Sequence, residues 1–367
     1  MNQLELENLG NENLILKTIA GSRAYGTNRP ESDIDERGIF VAPIQNYINI
    51  DSPKIEQIQY EINDVVYFEL SKYMKLLLEQ NPNVVELLWT DKSDILYCNE
   101  FGKLLIDNRS EFLSIKIKES FVGYAMAQLK RIKGHNKWLN NPQPKDAPQE
   151  KDYTSIVWNY TENKNYNKHV PHQGFIALSL GNDIFSLWNN EKFQTKRNWI
   201  DKNGKILSLS KEELESFNSN NYSPDLIIKF NRTQYENQYN NWKGYWVWKE
   251  NRNEKRALLE NQFGYDVKHA MHLIRLLRSG RDILKDGYVP VKRKDKDFLL
   301  SILHGELSYE QVVEESENLL KEVEYYSLQT KLPKEPNKKI AEEICISIYQ
   351  EYWKKSLTNI QEQSLKL

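Results

Sequence analysis

Two aspartates two residues apart, Asp33 and Asp35, follow a Gly21-Ser22 pair early in the chain. Alternate residues of an extended segment share a face. The Ser32-Asp33-Ile34-Asp35 run is therefore expected to hold both carboxylates side by side and to send Ile34 the other way, into a core. Neighbouring carboxylates repel, and a divalent cation between them removes the penalty. Hard oxygen donors suit Mg²⁺, which keeps substrate phosphate oxygens in its shell, with Mn²⁺ as the alternative. Gly21 lets the backbone approach a ligand closely. The N–H groups that follow it, at a helix start, form an anion cradle around Ser22. Such a cradle beside a metal-binding acid pair is the equipment of nucleotidyl transfer. The metal lowers the pKa of an attacking hydroxyl and neutralises the triphosphate and its leaving pyrophosphate.

These residues need positioning elements. Leu14 to Ile19 reads as a strand ending at Gly21-Ser22, and Tyr25-Gly26-Thr27 as a tight turn. A second strand carries the two aspartates into Gly38-Ile39-Phe40-Val41. Arg23 adjoins Ser22 and is a candidate phosphate contact, whereas Arg29 reads as an ordinary surface charge. Arg37 falls on the strand face of Asp35, where it can pair with a carboxylate or reach a phosphate. Residues 43–62 read as a loop excursion. Asp64 to Leu70, DVVYFEL, is a further strand. SKYMKLLLEQ follows as an amphipathic helix capped by Ser71, and Asn81-Pro82 restarts a helix with proline at its first position.

Residues 100–139 carry a helical pattern that ends in a basic cluster, Lys130, Arg131, Lys133, His135 and Lys137, with Trp138 beside it. Such a cluster can bind phosphates or stack a base. It reads equally as a solvated helix face. Residues 140–168, rich in Pro, Asn and charge, read as a linker that is mobile at least in part. From 170 to 232 the period becomes two, with hairpin turns at Gly181-Asn182-Asp183 and Asn203-Gly204 and a further strand in SPDLIIKF. A long amphipathic helix is expected around 265–285. Ala270, Leu273, Ile274 and Leu277 form its buried stripe. Lys268, His272, Arg275 and Arg278 share the other side and are suited to gripping phosphate.

The net charge of −2 over 367 residues excludes a protein held on nucleic acid by its total charge, while leaving local basic patches open. Two cysteines far apart point to a reducing compartment without a zinc site. The acidic, polar N-terminal stretch is unlike a secretory or transit signal, and no apolar run nears the roughly 20 residues of a membrane span. A cytoplasmic enzyme without membrane association is the expectation.

Gly21-Ser22 with Asp33-Ile34-Asp35 resembles the signature of the DNA polymerase β nucleotidyltransferase superfamily. The string GSRAYGTNRPESDIDERGIFV is similar to its RlaP-like, RNA-ligase-associated branch, as are LEQNPNVVELLW and GYDVKHAMHLIRLLRSG. The resemblance implies an α+β chain: a nucleotidyltransferase domain with a mixed sheet over 1–110, then a mainly helical region over 111–367 with a β-rich insertion around 170–232. It implies metal ligation and catalysis by Asp33, Asp35 and a third acid from a neighbouring strand, for which Glu69 is preferred over Asp64 and Glu61. Nucleotide contacts fall to Gly21, Ser22, Arg23, Arg37, Lys268, His272 and Arg275, with Glu86 and Trp89 in a structural role. The implied reaction moves an NMP from an NTP to an RNA hydroxyl, on a tRNA or a damaged RNA end. Transfer to a protein or small molecule, an inert nucleotide-binding module, and a toxin or antitoxin component are the other readings.

Overall fold

The computed structural model describes residues 8–9, 11–48, 54–60, 64–160, 169–216, 223–252 and 254–364. The chain is α+β and divides into two compact units, one formed by residues 1–139 and 255–367, the other by 140–254. This division differs from the 110/111 boundary read from the sequence. The reason is a shared core, which draws the last helices into the first unit.

The first unit is built on a five-stranded mixed sheet in the order β3-β4-β2-β1-β5. Its strands are β1 (Leu14–Ala20), β2 (Asp35–Phe40), β3 (Gln57–Gln59), β4 (Val65–Glu69) and β5 (Ile95–Cys98). β1 pairs antiparallel with both β2 and β5, whereas β2 and β4 run parallel. Parallel pairing needs cover on both faces, and the residues obey that demand. Ile39, Val41, Val66 and Phe68 enter the main core, while Phe40, Ala42, Val65 and Tyr67 enter a smaller one. Alternation with apolar residues on both sides explains why VVYF is unbroken by polar groups.

Thirteen helices are described in the chain. Those of the first unit are α1 (Gly21–Tyr25), α2 (Gln45–Ile48), α3 (Leu70–Leu78), α4 (Pro82–Leu87), α5 (Glu100–Asp107), α6 (Ile117–Asn140), α9 (Glu254–Phe263), α10 (Val267–Asp286), α11 (Lys296–Leu303), α12 (Tyr309–Gln329) and α13 (Lys338–Ser364). α4 starts as expected, with Pro82 first and the Asn81 side chain accepting from the Asn83 N–H. The region read as a loop over 43–62 holds α2 and the edge strand β3. α5 lies so close to β1 that a Cβ on Gly102 would meet the Ile15 carbonyl oxygen at 2.2 Å. α10 buries Ala270, Leu273, Ile274 and Leu277 completely, as its spacing requires. These residues join Ile15 and Ile39 of the sheet and Val312 and Ile348 of the last two helices in one cluster. Among the described residues no helix is long and apolar enough to cross a membrane.

The second unit carries an antiparallel sheet in the order β6-β9-β8-β7, from Thr154–Asn159, Phe175–Gly181, Ile184–Asn189 and Leu226–Phe230 for β6 to β9 in turn. The β7–β8 hairpin turns through Gly181, Asn182 and Asp183, all at positive φ. The second turn forms at Asn203-Gly204, with a single antiparallel bridge, Ile200 to Ile206. β6 falls inside the stretch read as a linker, because its pairing with β9 is not local. Residues 161–168 of that stretch lie outside the described residues. Helices α7 (Lys211–Ser216) and α8 (Arg232–Glu250) complete this unit.

Glu69 has a structural task. α3 begins at Leu70, and its cap is Glu69 rather than Ser71. The buried carboxylate accepts from the Ser71 N–H at 2.8 Å, the Ser71 hydroxyl at 2.6 Å and the Tyr349 hydroxyl at 2.8 Å. Removing it strands three donors, which is worth about 1–3 kcal/mol. Glu69→Ala is therefore expected to lower the thermal midpoint clearly. An unchanged melting curve would contradict this capping role.

Candidate active site

The two motif halves meet because β1 and β2 are neighbours, with Ala20 opposite Asp35 and Thr18 opposite Arg37. α1 begins directly at Gly21, whose φ is +62°. That left-handed geometry costs an ordinary residue about 1–2 kcal/mol. A side chain here is excluded a second time, since a Cβ would sit 1.9 Å from Asp35 Oδ2. Asp35 thus lies directly against the glycine bend.

Asp33 precedes β2 rather than belonging to it, and Ile34 is 47% exposed, not in a core. Arg23 explains how the loop is still held. Its guanidinium donates to the Ser32 carbonyl at 2.7 Å and the Asp33 carbonyl at 3.3 Å. The candidate phosphate contact is thereby committed to fixing the segment that carries Asp33.

Asp33 and Asp35 line one cleft of about 580 Å³ together with Asp64, Thr18, Gly21 and Arg37. Strand parity decides which third acid arrives. Parallel pairing sets Arg37 beside Val66 and Phe40 beside Glu69. Even-numbered residues of β4 therefore share the face of Asp35 and Arg37, and Asp64 precedes them at the same end. Glu69 has the opposite parity and sits at the far end, so the structure does not bring it to the aspartates. Arg37 holds Asp64 instead, its guanidinium nitrogen 2.8 Å from Asp64 Oδ2 and a second one donating to the Asp64 carbonyl. Glu61, the other rival, lies outside the described residues.

The cleft's other wall comes from α4, α6 and α10. Lys268, His272 and Arg275 all line it, with Arg131, Tyr124 and Gln128 of α6. Arg278 does not: it pairs with Asp295 at 2.9 Å and Glu315 at 2.7 Å. Ser22 and Arg23 are not among the lining residues either. Arg275 is nearly fully buried, and its charge is already used. It pairs with Glu86 Oε1 at 2.5 Å and stacks on the Tyr25 ring at 3.9 Å, while the Tyr25 hydroxyl donates to Glu86 Oε2 at 2.7 Å. This triad ties α1 to α4 and α10. Trp89 packs outside it, under Arg109 and edge-on to Tyr288. Two buried cleft atoms, Thr18 Oγ1 and Gln128 Oε1, have no hydrogen-bond partner among the described residues. Nothing in a single sequence marked them, because a lone threonine in a strand and a glutamine in a helix are commonplace.

Burial pushes the Asp35 carboxyl above its ordinary range, and Asp64 and Asp33 add to the shift, while Arg37 and Lys268 oppose it. A raised carboxyl pKa means that the folded state holds the proton more tightly. The resulting stability is complete below pH 3.8 and is lost as pH rises through the folded value. At neutral pH the charged Asp35 works against the fold. All three groups are hard oxygen donors, so the set fits Mg²⁺ or Mn²⁺. Asp35→Asn is accordingly expected to melt above the unaltered protein in EDTA at pH 7 and to lose any gain from added Mg²⁺. A lower midpoint in EDTA would contradict the crowding of acids. For the triad, Glu86→Gln leaves Arg275 buried without its counter-charge, at a cost of about 3–5 kcal/mol. Urea unfolding should show that loss, and a Glu86→Gln, Arg275→Met double variant should recover part of it.

A protein of phage T4, described as an uncharacterized 38.9 kDa protein in the nrdC-mobD intergenic region, is 29% identical over 137 residues, 33% of this chain and 39% of the phage protein. Protein YcgL of Bacillus subtilis strain 168, also described as uncharacterized, is 34% identical over 84 residues, 22% of this chain and 31% of its own length. The matches thus span less than half of each relative. No solved structure gives a significant match. The family model described as RlaP, RNA repair pathway DNA polymerase beta family, covers residues 1–143, which hold the whole sheet, all three cleft aspartates and α6. Through residues 1–143, then, the chain is similar to the RlaP family.

Proposed function

We propose that this chain is a metal-dependent nucleotidyltransferase that moves an NMP from an NTP to an RNA hydroxyl. The observation that carries the reading is the convergence of Asp33, Asp35 and Asp64 in one cleft with Lys268, His272 and Arg131. Three clustered carboxylates disfavour one another, and a fold keeps such a set for a cation that it binds. Bound there, Mg²⁺ lowers the pKa of the acceptor hydroxyl and neutralises the triphosphate.

Asp33 and Asp35 are the ligands fixed by the glycine bend and by Arg23. Asp64 completes the set and is open to solvent, its side chain 54% exposed. That exposure suits the side from which a large acceptor enters, and a carboxylate there can take the hydroxyl proton. The oxygen freed of its proton attacks the α-phosphorus in line, the bond to the β-phosphate oxygen breaks, and pyrophosphate departs. Lys268 and Arg131 supply positive charge for the triphosphate, and His272 a hydrogen-bonding group. Thr18 Oγ1 and Gln128 Oε1 await a donor from the nucleoside. The RNA acceptor, a tRNA or a damaged end, is supported by the RNA-repair description of the matched family.

The test is label transfer from each α-³²P NTP with Mg²⁺, in the presence of RNA, of protein extract or of neither. RNA should be labelled. Asp33→Asn, Asp35→Asn and Asp64→Asn should each lower the rate by on the order of 10²-fold or more, while Glu69→Gln keeps the rate and loses stability. Label in protein or in small products replaces the RNA acceptor. Activity that survives Asp64→Asn but not Glu69→Gln overturns the site.

A further inference from the structure

Beside the cleft, α6, α9 and the start of α10 bring together His135, Glu260, Asp266 and His269. His135 Nδ1 is 3.1 Å from Glu260 Oε1, and His269 Nε2 is 3.5 Å from Asp266 Oδ2. Ligand atoms of His135, Glu260 and Asp266 all lie within 4.8 Å of one another. Glu260 and Asp266 are buried, at 2% and 3% exposure. Asp266 Oδ1 caps α10 by accepting from the His269 N–H at 2.9 Å. Its other oxygen, Oδ2, is buried and makes no hydrogen bond among the described residues. A buried carboxylate oxygen left in that state costs energy unless something positive meets it.

We propose that these four residues bind a borderline transition dication of the Zn²⁺ type, apart from the catalytic aspartates. Two imidazoles and two carboxylates neutralise such an ion and match its preference for nitrogen and oxygen donors. A tetrahedral ion with bonds of about 2.1 Å separates its ligands by about 3.4 Å, close to the spacing of both His–carboxylate pairs. The supports around the ligands are in place. The α10 cap orients Asp266, and Trp138 stacks on the His135 ring with their planes 20° apart. Because His269 also lines the cleft, the ion would pin the end of α10 that carries Lys268 and His272.

The test separates this site from the cleft. The Asp33→Asn, Asp35→Asn, Asp64→Asn triple variant is stripped of metal, dialysed against Zn²⁺ or Co²⁺, and its metal content and Co²⁺ visible absorption are measured. One equivalent per chain with the intense bands of low-coordinate Co²⁺ is expected. Adding Asp266→Asn, which keeps the helix cap, or His135→Gln should weaken uptake at least tenfold. Should those variants fail to fold, Zn²⁺ protection of His135 and His269 against diethyl pyrocarbonate in the unaltered chain reads the same site, and equal labelling with and without Zn²⁺ counts against it. No stoichiometric uptake by the triple variant, or uptake unmoved by both substitutions, overturns the proposal and leaves His135 and Glu260 as a plain ion pair.

Discussion

The buried contact of Arg275, Glu86 and Tyr25 is the constraint on which the rest of the site depends. Arg275 and Glu86 are separated by 189 residues in sequence, and Tyr25 and Glu86 by 61. A charge pair in such a place is no bargain in stability, because desolvation offsets much of the attraction. Its use is positional. Tyr25 ends the short helix that starts at Gly21, and Gly21 carries no side chain because Asp35 occupies that space. Orientation therefore passes from α10, through the triad, to the bend beside Asp35.

Arg23 and Arg37 do related work nearer the acids. Each spends its donors on the protein. Arg23 holds two carbonyls of the loop before β2, and Arg37 holds both the carbonyl and the carboxylate of Asp64. On the facing helices, Lys268 of α10 and Arg131 of α6 add positive charge to the lining of the cleft.

Much of this was legible in the sequence, and the lapses have a common cause. Local pattern exposed β1, β2, β4 and the β7–β8 hairpin, the proline-started α4 and the buried stripe of α10. The mixed sheet and α+β class came with the resemblance of three strings. What depended on distant pairing was lost. The strand over Thr154–Asn159 needs β9, and the choice between Glu69 and Asp64 needs the register of β4 against β2. Glu69 was judged by its place at a strand end, but a one-residue change of parity sends a carboxylate to the opposite face. Ile34 was assigned to a core on the assumption that β2 starts before Asp33. Arg275 shares a helix face with Lys268 and His272 that suits phosphate, and its partner Glu86 lies 189 residues away, beyond any local pattern.

The shared core has a bearing on how the chain matures. Ile15 and Ile39 of the sheet pack in the same cluster as Ile274, Val312 and Ile348. Synthesis runs from the N terminus, and most chains gain by folding their early segments first. Here the early sheet emerges with α3 and α5 but without the later helices that share its core, and Glu86 emerges without Arg275. The middle unit, with its own sheet and its own core, is made in between and can fold during the wait. Ribosome-bound chains would thus expose part of that shared apolar core for over a hundred residues of elongation, an interval in which holding chaperones have a substrate.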